Sequence, residues 1–256
     1  MLFQLLDKLC ARINGMEAAK EAPRFVVQVQ KMRPTLRADL KARGMAADQI
    51  EKSLIILSIA QLGIIKGIPE IVTEMSKMLK AGSGEPAFRC VIAASLAYLV
   101  QPKDLLPDDL PGGYGFVDDA LFLHEACALS WEVAGDMKRA EEKRKIFQFI
   151  FMFVPDKSRE LFQSAISGIA TTLNIMRSVD PMMAEMTTQM LIANPLQPIA
   201  SLGGGAAGAP STFGSQFANY PGGQGPQYTW RDGSTLGVNF PGGGGVATDG
   251  RDIFIL

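Results

Sequence analysis

Between Ala97 and Leu123 the chain reads AYLVQPKDLLPDDLPGGYGFVDDALFL, and this stretch restricts the fold more than any other. Asp104, Asp108, Asp109, Asp118 and Asp119 fall among Leu, Val and Phe, too many acids for a segment that only builds core. Pro102, Pro107 and Pro111 each fix φ and restrict the residue before them, which stiffens a connector that would otherwise be loose. Gly112, Gly113 and Gly115 follow, and an apolar helix then opens at the Asp118-Asp119 pair. With the apolar run of residues 85–101 leading in, the pattern predicts a helical hairpin with a rigid acidic connector.

The spacing Pro-x-Asp-x-x-Pro-Asp, then Gly and Asp-Asp before an apolar helix, resembles the YkvA-like family, a bacterial-type domain of unknown function. Pro102, Asp104, Leu105, Pro107, Asp108, Gly115, Asp118, Asp119 and Leu121 carry the resemblance, which spans about residues 86–125. Lys103 stands where the family usually has an apolar residue, and Gly112-Gly113 is doubled, so this connector is the more polar. The resemblance implies a small helical fold and association with membranes. It implies no reaction, since the family has none established.

Two readings of the acids stand side by side. In the first they are structural: Asp118 or Asp119 is the N-cap of the following helix, accepting from its free N–H groups at the positive end of the helix dipole. Asp104 and Asp108 serve a short turn around Leu105 and Leu106 in the same way. In the second, Asp104, Asp108 and Asp118 or Asp119 hold a divalent cation, because hard cations take several oxygen ligands. The spacing contains no D-x-D-x-D-G run and no closing Glu of a calcium loop.

Other chemistry is sparse. His124 is the one histidine, in the string HEAC rather than HExxH, so it reads as a core histidine sharing a helix face with Cys127. No GxSxG, no P-loop and no GxGxxG after a strand occurs. The sequence therefore assigns no catalytic residue and no cofactor. A formal net charge of -1 gives no field favouring nucleic acid. Cys10, Cys90 and Cys127 are odd in number, far apart and without a CxxC, which fits buried thiols in a reducing intracellular compartment.

Helical periodicity runs through the remainder of residues 1–195, and the fold class is all-α: a multi-helix bundle built around the acidic hairpin. Leu2, Leu5, Leu6, Leu9 and Ile13 form one stripe of an amphipathic first helix that packs on the body. Residues 24–44 read as two helices divided at Pro34, although Val26 to Gln30 also alternates like a strand. SLIILSIAQLGII, residues 53–65, belongs to a buried helix over 47–67, and its Gly63 and Gly67 would let another helix approach closely. Pro69 then starts a further helix. The mixed-charge run DMKRAEEKRK leads into IFQFIFMFV, a helix that dips from solvent into a core or interface. Phe162, Ile166, Ile169, Leu173 and Met176 make the next stripe, on a helix without charge from 161 to 176, and a polar but uncharged outer face of that kind is often covered by a partner. Met182, Met183, Met186 and Met190 follow on a short helix.

From 196 to 256 the chain changes class. Residues 202–250 hold 15 of the 26 glycines, and that composition predicts an extended, irregular low-complexity tail. Large aromatics on a pliant backbone suit docking on partner chains, with Tyr220, Tyr228, Trp230 and Phe240 as the anchors. The sequence thus points to a non-enzymatic structural or interaction subunit of a larger assembly. Its partners are other protein subunits and a membrane surface, with no nucleic acid. The alternatives are a divalent-cation-binding protein or metal-dependent enzyme using the hairpin acids, and an integral membrane YkvA-like protein.

Overall fold

In the computed structural model the helices follow one another as α1 (Leu2–Asn14), α2 (Ala18–Met32), α3 (Thr35–Ala42), α4 (Ala47–Lys66), α5 (Ile68–Ala81), α6 (Pro86–Tyr98), α7 (Val117–Val133), α8 (Met137–Phe151), α9 (Arg159–Ser178) and α10 (Pro181–Ala193). Short 3-10 turns at Pro111–Phe116 and Asp156–Ser158 precede α7 and α9. The structure describes residues 1–42, 44–101 and 105–196, and beyond them the backbone of four strands. The body is all-α.

Local chemistry accounts for most boundaries. Pro34 separates α2 from α3, and Val26 to Gln30 lie inside α2, so the helical reading of that run holds. Gly82 closes α5 in the left-handed conformation, φ 63°. Asp136 and Asp180 cap α8 and α10, accepting from Arg139 N (3.1 Å) and Met182 N (2.7 Å). Leu2, Leu6, Leu9 and Ile13 of α1 are buried against the body.

Two helices were expected across residues 47–81, and two are found, but the junction is softer than Pro69 suggests. Gly67 keeps right-handed φ/ψ, and its N–H still bonds Gly63 O and Ile64 O. The stretch Ala47–Ala81 is therefore long and apolar enough to cross a membrane by length and composition, with 61% of its most apolar window buried inside the body. Gly63 does not serve close helix packing: among the described residues nothing lies within 4 Å of the position its Cβ would take.

At the centre lies α7, buried on all sides from Val117 to Ala126. The turn before it packs backbone to backbone on α2. Gly112 has φ 74°, and a Cβ there would sit 2.3 Å from Phe25 N. A Cβ on Gly115 would sit 2.3 Å from Pro107 O. Between these glycines Tyr114 is fully buried, its ring 5.3 Å from Phe25 and its hydroxyl donating to Phe153 O. Phe25 and Phe149 each lie 5.7 Å from Phe153, which joins α2, the turn and the end of α8 in one aromatic cluster.

Past residue 196 the irregular tail requires correction where the chain is described. Strands β1 (Gln227–Arg231), β2 (Thr235–Asn239), β3 (Gly245–Thr248) and β4 (Ile253–Ile255) form an antiparallel meander in chain order. β-branched and aromatic residues favour strands, and Asp232-Gly233 is a strong hairpin signal between two such runs. The register pairs Tyr228 with Val238, Trp230 with Leu236 and Val238 with Val246, which aligns apolar positions across three strands.

The close approach at the turn predicts a contrast between two glycines of positive φ. Gly112→Ala adds a backbone clash to left-handed strain and should lower stability by more than about 3 kcal/mol in urea denaturation. Gly135→Ala, φ 80° with open space around it, should lose only about 1 kcal/mol. Equal losses would show that the turn does not pack on α2.

Candidate functional site

The hairpin acids do not share one environment. Asp109 is exposed. Asp108 receives Arg12 of α1 at 3.1 Å, and the same guanidinium reaches the Asp108 carbonyl and lies 4.9 Å from the centre of the Phe116 ring. Burial raises the Asp108 carboxyl above its ordinary value, and the attraction of Arg12 works against that rise. Arg12 thus holds the connector to α1.

Asp118 and Asp119 are fully buried in the first turn of α7. The N-cap position belongs to Phe116, so neither aspartate is the cap of its own helix. The preceding 3-10 turn runs directly into α7 and its Tyr114 carbonyl already accepts the Val117 N–H, which leaves little for a cap to do. Asp118 turns instead to the other arm of the hairpin. Its Oδ2 accepts from the Tyr98 hydroxyl at 2.8 Å and from the Leu106 N–H at 3.0 Å. Tyr98 Oη in turn accepts from the Leu105 N–H at 3.1 Å. The Tyr98 ring lies 4.1 Å from that of Phe122 on α7, and burial followed by the Asp118 charge pushes its phenol well above the ordinary range. One tyrosine and one carboxylate therefore fasten the end of α6, the connector and the start of α7.

The cation reading named Asp104, Asp108, Asp118 and Asp119. Asp104 lies outside the described residues. Among the described residues no three His, Cys, Asp or Glu side chains converge as metal ligands. Of the proposed tail anchors, Tyr228 and Trp230 occupy β1, while Tyr220 and Phe240 lie outside the described residues.

A second buried pair sits further along α7. His124 is 4% exposed and, among the described residues, Nδ1 has no hydrogen-bond partner; Glu125 is fully buried, and among the same residues neither carboxyl oxygen has one. Burial, with Lys143 adding repulsion, pushes His124 down to about 3 and keeps the imidazole neutral. Burial pushes Glu125 up to about 7, against the pull of Arg144 and assisted by Glu132. Cys127 and Cys90 are both pushed up to about 11 by burial, so neither is a ready thiolate. Sequence reasoning singled out neither Tyr98 nor Glu125. A tyrosine inside an apolar helix signals a needed hydroxyl partner, whereas an acid next to a histidine carries no such cue.

Residues 89–124, from α6 through the connector into α7, match the family described as Protein of unknown function (DUF1232). The match covers a segment of the chain only. The chain is also similar to the Uncharacterized protein ORF9 of Methanothermobacter thermautotrophicus, at 36% identity over 52 residues, 20% of this chain. It spans 36% of the length of that relative. No solved structure matches the chain.

The buried pair predicts opposed pH limbs. The folded value of Glu125 is raised, so its contribution is intact below about pH 4.5 and is lost as pH rises through about 7. That of His124 is lowered, so stability falls as pH drops from about 6.5 towards 3. In urea denaturation across pH 4 to 8.5, Glu125→Gln should gain on the wild type with rising pH, by on the order of 3 kcal/mol at the alkaline end. His124→Gln should flatten the acid limb alone. Parallel profiles for Glu125→Gln and the wild type would exclude the assignment.

Proposed function

We propose that the chain is a non-enzymatic interaction subunit of a larger protein assembly, and that the outer face of α9 and α10 is its docking surface. One observation carries the reading. Met182, Met186 and Met190 succeed one another at four-residue spacing on α10 and are 43–66% exposed, with Met183 beside them. The opposite side of the same helix buries Ala184, Thr188 and Leu191. Such a row has no use in water. Methionine is unbranched and polarizable, and moulds to the surface it meets.

A protein partner suits this face better than lipid. Helices that lie on membranes carry Lys and Arg beside their apolar face, whereas α10 has neither, and its one charge, Glu185, is paired with Arg89 of α6. The hairpin serves this protein as a YkvA-like structural element, its Asp108 and Asp118 engaged in joining elements. The C-terminal segment, with Tyr228 and Trp230 in β1, supplies a second contact to partner chains. The free thiols of Cys10, Cys90 and Cys127 suit a reducing compartment. A site at a membrane surface is the second reading, and the apolar stretch Ala47–Ala81 supports it.

Changing Met182, Met186 and Met190 together to Gln keeps helix propensity while removing the apolar row. Native mass spectrometry of tagged protein from its own cells should show the wild type in an assembly and the triple variant free of it, with unchanged melting temperature. Retention of the variant in full yield would overturn the docking surface. Flotation of the purified chain with anionic vesicles, if lost in the variant, would move the same face to the membrane reading.

A further inference from the structure

We propose that the occupant of the α9–α10 face is a second copy of this chain, the two hairpins pairing about a twofold axis as a four-helix bundle. The proposal rests on the docking reading above and names its partner.

α9 and α10 are consecutive helices joined only by Val179 and Asp180, and both pack on α6 with their inner sides. Each leaves an outer side open. On α9 this side exposes Leu161, Thr171, Asn174 and Ile175, and on α10 the methionines, with no charged residue from 161 to 176. Charges gather at the bend, Arg177 and Asp180, where Arg177 is held by Glu85 at 3.0 Å.

Three features favour self-association. A twofold interface places each patch against itself, so any central charge would meet its like. The charge nearest the centre of this face is Glu185, beside Met186, and Arg89 of α6 neutralises it. The polar groups of the face, the Thr hydroxyls and the Asn and Gln amides, both donate and accept, so each is able to pair with its own copy. A face whose charges are paired within the chain also offers little to steer or select a charged partner.

Size agrees. At 1.5 Å per residue the two helices run about 30 Å and 20 Å, and two helices abreast span about 20 Å, a projected face on the order of 500 Å². Side-chain relief raises the accessible area towards the roughly 800 Å² per partner of a standard interface. Within that face Leu161, Ile175 and the four methionines are exposed, and exposed apolar groups gathered in this way mark an association site. Antiparallel pairing of α10 with its copy sets Met186, near the helix midpoint, beside the axis, and Met182 opposite Met190 of the other copy.

Sedimentation equilibrium on the purified full chain should give twice the mass of the 27.6 kDa chain. Met186→Glu sets two carboxylates together at the axis and should return the monomer, with at least a hundredfold weaker dimerisation and an unchanged circular dichroism spectrum, as Met186 is 57% exposed. Met182→Lys with Met190→Glu, which places opposite charges across the antiparallel pair, should remain dimeric. A monomeric wild type at 100-fold working concentration would overturn the inference. If the triple Gln variant still left its assembly in that case, the docking surface would stand with a different partner. A wild-type dimer untouched by Met186→Glu would place the interface elsewhere and overturn the inference too.

Discussion

The Asp118 carboxylate is the contact on which the geometry of this protein depends. It is buried without exposure at the start of the central helix, and ionised groups are tolerated there only when their lone pairs are met. Tyr98 and the Leu106 N–H meet one oxygen from the opposite arm of the hairpin. The result is a closed loop of short contacts around the connector, with Leu105 N–H bonded to the same tyrosine. Because α7 packs on α4, α5, α6, α8 and α9, the position of its first turn sets much of the bundle.

Around that contact the connector is fixed from outside. Arg12 of α1 draws in Asp108, Gly112 lets the turn lie directly on α2, and Tyr114 reaches through to Phe153 at the end of α8. Each arm of the hairpin is thus tied to a different part of the chain. The segment that matches a family of unknown function is the segment that does this tying. Its acids look like ligands when written in a row, yet Asp108, Asp109 and Asp118 fall into separate environments when folded. By contrast α9 and α10 have their inner faces packed, while the outer side is mostly polar and uncharged on α9 and carries the methionine row on α10, a division of labour between a rigid centre and an open flank.

How much of this was legible follows from what sequence patterns encode. Apolar stripes at helical spacing placed α1 and α9, because a one-sided helix must bury that side, whereas the methionine row of α10 lies on its exposed side. Pro34 and Pro69 marked real boundaries. The hairpin was legible as a rigid element, since Pro and Gly speak for backbone conformation directly. The role of its acids was not: a carboxylate at the second position of a helix looks like a capping residue, and only the fold brings Tyr98 and Leu106 to it. Arg12 lay ninety-six residues from Asp108 and gave no sign of the pairing. The strands of the C-terminal segment were legible in Tyr-Thr-Trp-Arg-Asp-Gly, but the glycine content weighed more heavily than the alternation.

The central claim is that Tyr98 and Asp118 act as one fastening rather than as two separate buried groups. A double-mutant cycle on the full chain, with Tyr98→Phe, Asp118→Asn and both together, measures it through chemical denaturation. Phe removes only the hydroxyl, and Asn keeps the shape of the side chain while losing its charge. The account predicts a coupling energy of at least about 1 kcal/mol, with the double variant little worse than the poorer single one. Losses that add to within about 0.3 kcal/mol would contradict it.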